Sequence, residues 1–146
     1  MPDRIEIALR LRDAMIAENF AESIRDESAL ELFEKSLGPC CHEDFETAMV
    51  SGGPGLRNEY RGAHGFVSAW RDWVTPFESF RIDIDEEIAG TGDALVGLAH
   101  QTGVLAGGGE VSSDAAAVMF FREGLLARVE FHMDRAEALR AAGLEA

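Results

Sequence analysis

The chain has 146 residues, 47% of them hydrophobic and 27% charged, with a mean hydropathy of −0.06, the profile of one soluble globular domain spanning residues 1–146. At this length roughly two thirds of the unfolded surface becomes buried, so neither a metal nor a disulfide is needed to hold the core. Thirteen Lys and Arg against 27 Asp and Glu give a formal net charge of −14, a field that repels phosphate backbones and anionic lipid heads and argues against nucleic-acid or membrane partners.

Met1-Pro2-Asp3-Arg4 has no apolar signal core behind it. The longest apolar run, Ala115 to Phe121, is far shorter than the roughly 20 residues of a spanning helix. Residues 5–18 carry Ile5, Ala8, Leu9, Ala14, Met15 and Ile16 among charged residues, which predicts a first helix. Ser28 and Glu31 form a capping-box pattern ahead of Ala29, Leu30, Phe33 and Leu37, and Gly38-Pro39 ends that second helix. Cys40 and Cys41 are adjacent, so they read as reduced, packed thiols of a cytoplasmic protein. From Cys40 to Arg61 the expectation is a loop around Ser51-Gly52-Gly53-Pro54-Gly55, flanked by short extended pieces.

Gly62 then precedes Phe66, Trp70, Trp73 and Phe77, spaced four, three and four apart, and this predicts a helix with four rings on one face, which Pro76 helps to end. Phe80, Ile82, Ile84 and Ile88 alternate with charged residues as a half-buried strand. After the turn Ala89-Gly90-Thr91-Gly92-Asp93, residues 94–106, 111–121 and 125–133 read as three strands of an antiparallel meander, joined by Gly107-Gly108-Gly109 and Glu123-Gly124. The triple glycine joins strands and opens no helix, so it is not a phosphate cradle. Asp134 to Leu144 predicts a final helix capped by Asp134 and Glu137.

A two-residue turn at Glu123-Gly124 would place Phe120, Val118, Ala116 and Asp114 on one apolar face with Ala127, Val129, Phe131 and Met133. The opposite face would collect Ser113, Ala115, Ala117 and Met119 with Arg128, Glu130 and His132. On that arrangement Asp114 is a carboxylate among apolar side chains, whose pKa would rise and suit it to general acid/base work. A rim aspartate in solvent is the plainer alternative.

Tyr60-Arg61-Gly62, Trp70-Arg71-Asp72-Trp73 with Phe77 and Phe80, Gly92-Asp93, Phe121-Arg122-Glu123-Gly124 and Asp134-Arg135-Ala136-Glu137-Ala138-Leu139, in this order and spacing, resemble the SnoaL-like branch of the nuclear transport factor 2-like superfamily. The resemblance implies an α+β fold in which a curved antiparallel sheet wraps the N-terminal helices and the long aromatic helix, leaving a conical pocket. It also implies a homodimer through the outer sheet face. The superfamily includes isomerases, cyclases, epoxide hydrolases and dehydratases as well as pockets without known chemistry. Its epoxide hydrolases place an Arg and an Asp two residues apart on a central strand with a partner aspartate on the final strand. Those positions align here with Ala99, Gln101 and Phe131, which cannot supply that acid and electrophile.

The expected pocket lining is Tyr60, Phe66, Trp70, Trp73, Phe77, Gln101, Val118, Phe120, Phe131 and Met133, with Asp114 as the candidate catalytic residue. His42, His64, His100 and His132 show no metal-ligand spacing, and no cofactor is implied. Three functions follow as alternatives: a pocket binding a small, mostly apolar molecule; a cofactor-independent cyclase, isomerase or dehydratase using Asp114; and a structural dimerisation module whose pocket is filled by its own side chains.

Overall fold

Short polar side chains start the helices. The computed structural model describes residues 3–50, 60–84, 89–91 and 93–144. Asp3 accepts from the Glu6 N–H at 2.8 Å and opens α1 (Arg4–Met15), and Asn19 accepts from the Glu22 N–H at 3.3 Å and opens α2 (Phe20–Arg25). The sequence pattern did not predict α2, because six residues are too few to display a helical period. In front of α3 (Ala29–Leu37) the expected capping box does not form: Ser28 turns to Asp26, donating its N–H at 2.8 Å and its hydroxyl at 2.6 Å. A single 3-10 turn, Gly38–Cys40, carries Pro39.

The extended piece expected ahead of the loop is a nine-residue strand, β1 (Cys41–Met49), longer than the short piece expected, while Ser51-Gly52-Gly53-Pro54-Gly55 lies outside the described residues. β2 (Tyr60–Arg61) leads into α4 (Gly62–Trp73). The helix closes at Val74, whose N–H returns to the Trp70 carbonyl at 3.0 Å, and Arg25 of α2 donates to the carbonyls of Val74 and Phe77, both at 2.6 Å. Phe77 therefore begins β3 (Phe77–Ile84) and is not a fourth ring on the helix. Asp85, Glu87 and Ile88 of the predicted strand, and Gly92 of the predicted turn, lie outside the described residues. β4 (Ala89–Thr91), β5 (Ala94–Leu105), β6 (Glu110–Arg122) and β7 (Leu125–His132) follow. α5 (Arg135–Ala141) starts as expected, with Asp134 accepting from the Glu137 N–H at 3.1 Å.

Among the described residues the strands form one sheet in the order β2-β1-β7-β6-β5-β3, with β4 added to β5. It is mostly antiparallel; the exception to the predicted antiparallel sheet is β1, which runs parallel to β7. No turn joins these two distant segments, so nothing local in the sequence fixes their relative direction.

The decisive feature is the β6–β7 hairpin. Its turn is the predicted two-residue one, with Glu123 at φ 56° and Gly124 at φ 80°, both in the left-handed region that such turns require. Arg122 pairs with Leu125 and Phe121 with Leu126, but Phe120 then pairs with Arg128, leaving Ala127 as an extra residue in β7. This β-bulge moves the pairing by one, and side chains alternate, so β6 is turned over relative to β7. Met119 now lies opposite Val129 and Ala117 opposite Phe131, whereas Val118 meets Glu130 and Ala116 meets His132. The face assignment expected for β6 is thus reversed.

Two cores result. On the inner face α1 to α4 pack against Phe80, Ile82, Leu95, Ala99, Met119 and Val129. On the outer face Val96, Ala116 and Val118 pack against Ala138 and Ala142 at the C-terminal helix. α4 approaches β2 closely: a Cβ on Gly65 would lie 2.6 Å from the Tyr60 carbonyl carbon. Because that obstacle is backbone, Gly65→Ala is expected to destabilise the fold by about 1–3 kcal/mol. An unchanged urea midpoint would contradict this approach.

Candidate functional site

A cavity of ≈ 70 Å³ lies between the inner sheet face and the helices. Its floor is made by small residues of two neighbouring strands, Gly97 and Ala99 of β5 and Ala115 and Ala117 of β6. Opposite stand the indoles of Trp70 and Trp73 on α4, 6.4 Å apart between ring centroids, and Phe131 of β7 packs edge-on to Trp70 at 4.8 Å. Large rings over a floor of glycine and alanine leave space that close packing elsewhere would fill. α1 covers one side with Leu11, Arg12 and Met15, and β3 contributes Ile82 and Ile84. Ile84 is 37% exposed and Met133 39% exposed, so the lining reaches solvent at those residues.

The polar groups of the lining are few. Gln101, itself buried, donates its amide N–H to the Ser113 hydroxyl at 2.9 Å. Trp70 Nε1, Trp73 Nε1 and Arg12 Nε are buried without a hydrogen-bond partner among the described residues. The Arg12 guanidinium reaches the exposed Asp13 carboxylate at 3.6 Å through another nitrogen. No Asp or Glu belongs to the lining among the described residues.

Of the residues expected at the pocket, Trp70, Trp73, Gln101, Phe131 and Met133 line the cavity. The others lie elsewhere. Tyr60 is buried at β2, donating its hydroxyl to Asp72 at 2.9 Å. Phe66 stacks on Phe33 at 4.5 Å, and Phe77 packs 5.3 Å from Phe80 with its ring against Gly103. Val118 and Phe120 belong to the outer core beneath α5. Asp114 is also on the outer face, its side chain 59% exposed, 3.7 Å from His100 Nδ1 and 3.6 Å from an Arg135 guanidinium nitrogen. The Ala127 bulge accounts for Val118, Phe120 and Asp114 together.

Sequence reasoning missed the contribution of α1. Ala8, Leu11, Arg12 and Met15 fall at i, i+3, i+4 and i+7, a single helical stripe. A cation inside an otherwise apolar stripe was the available signal.

With this geometry in place, comparison with known proteins identifies the class. The SnoaL-like domain family matches residues 34–129, more than half of the chain, and the protein belongs to that family. No curated protein matches it in sequence. Among solved structures it is similar to a nuclear transport factor 2-like protein of Burkholderia thailandensis, at 18% identity and a TM-score of 0.68, covering 95% of this chain and 98% of that one. A nuclear transport factor 2-like protein of unknown function from Burkholderia pseudomallei gives 19% identity and a TM-score of 0.63 over 93% and 96% of the two chains. A candidate SnoaL-like polyketide cyclase from Jannaschia gives 15% identity and 0.63 over 97% and 92%. At such identities the likeness is one of fold.

The outer face carries a half-buried ionic chain. Arg128 donates to Glu46 and, through Nε, to Glu130 at 2.9 Å; His132 Nε2 lies 3.0 Å from Glu130 and its Nδ1 3.5 Å from Glu137 of α5. The hydrogen bond with His132, helped by Arg128 and opposed by burial, holds the Glu130 carboxyl below its ordinary value of 4.5. Among the described residues no three His, Cys, Asp or Glu side chains gather as a metal site. Burial, with the neighbouring Cys40, pushes the Cys41 thiol up to about 12, which keeps it protonated and a poor nucleophile at neutral pH. A depressed carboxyl stabilises the fold above its unfolded pKa, and the contribution is lost as pH falls through the folded value. The difference in melting temperature between the native protein and Glu130→Gln is therefore expected to be widest near neutral pH and to close below pH 4.5. A gap independent of pH would contradict this role.

Proposed function

We propose that this SnoaL-like protein binds a small, mostly apolar molecule in the cavity between α1, α4 and the inner sheet face. The observation that carries the reading is the pairing of two indole walls with a floor of glycine and alanine. Aromatic walls with a few polar groups are the usual composition of small-molecule sites. At ≈ 70 Å³ the space is well below the ~300–1,000 Å³ of pockets for drug-sized ligands, so the occupant has few atoms or projects past Ile84 and Met133. Met15, Met119 and Met133 line the same space, and their unbranched thioether chains let it adapt. The cyclase or isomerase reading needs a base beside the ligand. Asp114 lies across the sheet from the cavity, so binding without that carboxylate is the better-supported function.

A ligand that binds only the folded state raises its melting temperature. Thermal melts with small hydrocarbons, ketones and esters are expected to show such a rise for some of the set. Ala117→Leu, which fills the cavity from its floor, is expected to remove that rise. No rise with any member, or a rise that survives Ala117→Leu, would contradict the site.

A further inference from the structure

Three of the side chains that line the cavity are thioethers, Met15, Met119 and Met133, and their access to solvent is unequal. Met119 is 2% and Met15 7% exposed, whereas Met133 is 39% exposed. A peroxide attacks the sulfur directly, so solvent access decides which methionine of a folded chain reacts first. Among these three, Met133 is the sulfur that a dissolved oxidant meets without unfolding the protein. The thiols compete poorly: Cys40 is buried, and burial keeps the Cys41 thiol protonated.

The place of Met133 gives that reaction a consequence. It stands between β7, which ends at His132, and the Asp134 cap of α5, and with Ile84 it is where the lining reaches solvent. Apart from Arg12, Gln101, His132 and the two indoles, the lining is apolar. A thioether at the mouth is a flexible apolar surface against which a hydrocarbon body can pack. A sulfoxide is polar, and covering it with an apolar ligand strips water from its oxygen without giving it a partner.

We propose that Met133 is a redox-sensitive modification site that controls occupancy of the cavity: oxidation by a peroxide lowers its affinity for apolar molecules, and thiol-dependent reduction restores it. This step rests on the cavity being a binding site. In the forward reaction the sulfur lone pair attacks one peroxide oxygen, an S–O bond forms as the O–O bond breaks, and the second oxygen leaves as water. Sulfur loses two electrons and the peroxide gains them. In the return reaction two thiols become a disulfide and the sulfoxide oxygen leaves as water.

The folded protein is treated with hydrogen peroxide for graded times at neutral pH, and oxygen addition is located by peptide mass spectrometry. The same samples are melted with pentan-2-one, or with whichever hydrocarbon, ketone or ester gives the untreated protein its largest rise in melting temperature. The Met133 peptide is expected to gain one oxygen about tenfold or more faster than those of Met15 and Met119. The probe concentration needed for a set rise is expected to increase about tenfold, the scale of an unpaired polar group placed against apolar surface. Methionine sulfoxide reductase with dithiothreitol is expected to return it to the untreated value. In Met133→Leu, whatever rise the variant shows is expected to be insensitive to peroxide; should that variant fail to fold, the reversal by reductase in the native protein decides. Equal reactivity of Met15 or Met119, a rise that Met133 oxidation leaves in place, or a peroxide effect that survives Met133→Leu overturns this role while leaving the pocket. Silence of the untreated protein toward every probe overturns the pocket reading, and this role with it.

Discussion

One extra residue in β7 determines which side chains face the cavity of this protein. Ala127 has no partner in β6, and past it the pairing changes from Phe121 with Leu126 to Phe120 with Arg128. Because the pleat has a period of two, that single insertion sends every second side chain of β6 to the other face. Ala115, Ala117 and Met119 come to the inner face, and Asp114, Ala116 and Val118 go to the outer one. A carboxylate is thereby removed from the cavity and methyl-sized groups are placed there.

The cavity follows from what faces those small residues. α4 brings Trp70 and Trp73, which cannot descend to a floor built from strands whose backbones are fixed by their own hydrogen bonds. Arg25 of α2 binds the carbonyls of Val74 and Phe77, and Arg71 of α4 binds the Ile24 carbonyl at 2.8 Å, so the helix end and the start of β3 are tied to α2. Two sides of the space are therefore held by backbone contacts, while α1 completes it with flexible side chains, Arg12 and Met15. The outer core under α5 and the ionic chain of Glu46, Arg128, Glu130 and His132 occupy the other side of the sheet. The ionic chain is thus kept on one face, and the cavity on the other.

Much of this architecture was legible in the sequence, for local reasons. Trp70 and Trp73 stand at helical spacing, the residues of β5 to β7 fall between glycine turns, and Asp134 with Glu137 marks the start of α5; each signal spans only a few residues. What escaped depends on distant or unpatterned contacts. The parallel pairing of β1 with β7 has no connecting turn to announce it. Phe77 continues the helical spacing, yet it belongs to a strand because Arg25, far away in sequence, binds the carbonyls of that turn. The bulge at Ala127 has no residue signature, since neither Leu126 nor Arg128 beside it differs from ordinary strand residues. The site was consequently half legible: Trp70, Trp73, Gln101, Phe131 and Met133 were found from spacing and resemblance, while Arg12 required knowing that α1 lies over the sheet.

The claim on which the rest depends is the pairing of β6 with β7, and it is read most directly from cross-strand proton contacts by nuclear magnetic resonance. The bulged register predicts contacts of Met119 with Val129 and of Ala117 with Phe131. Contacts of Val118 with Val129 and of Ala116 with Phe131 would mean an unbroken ladder, would return Asp114 to the inner face, and would contradict this account of the cavity.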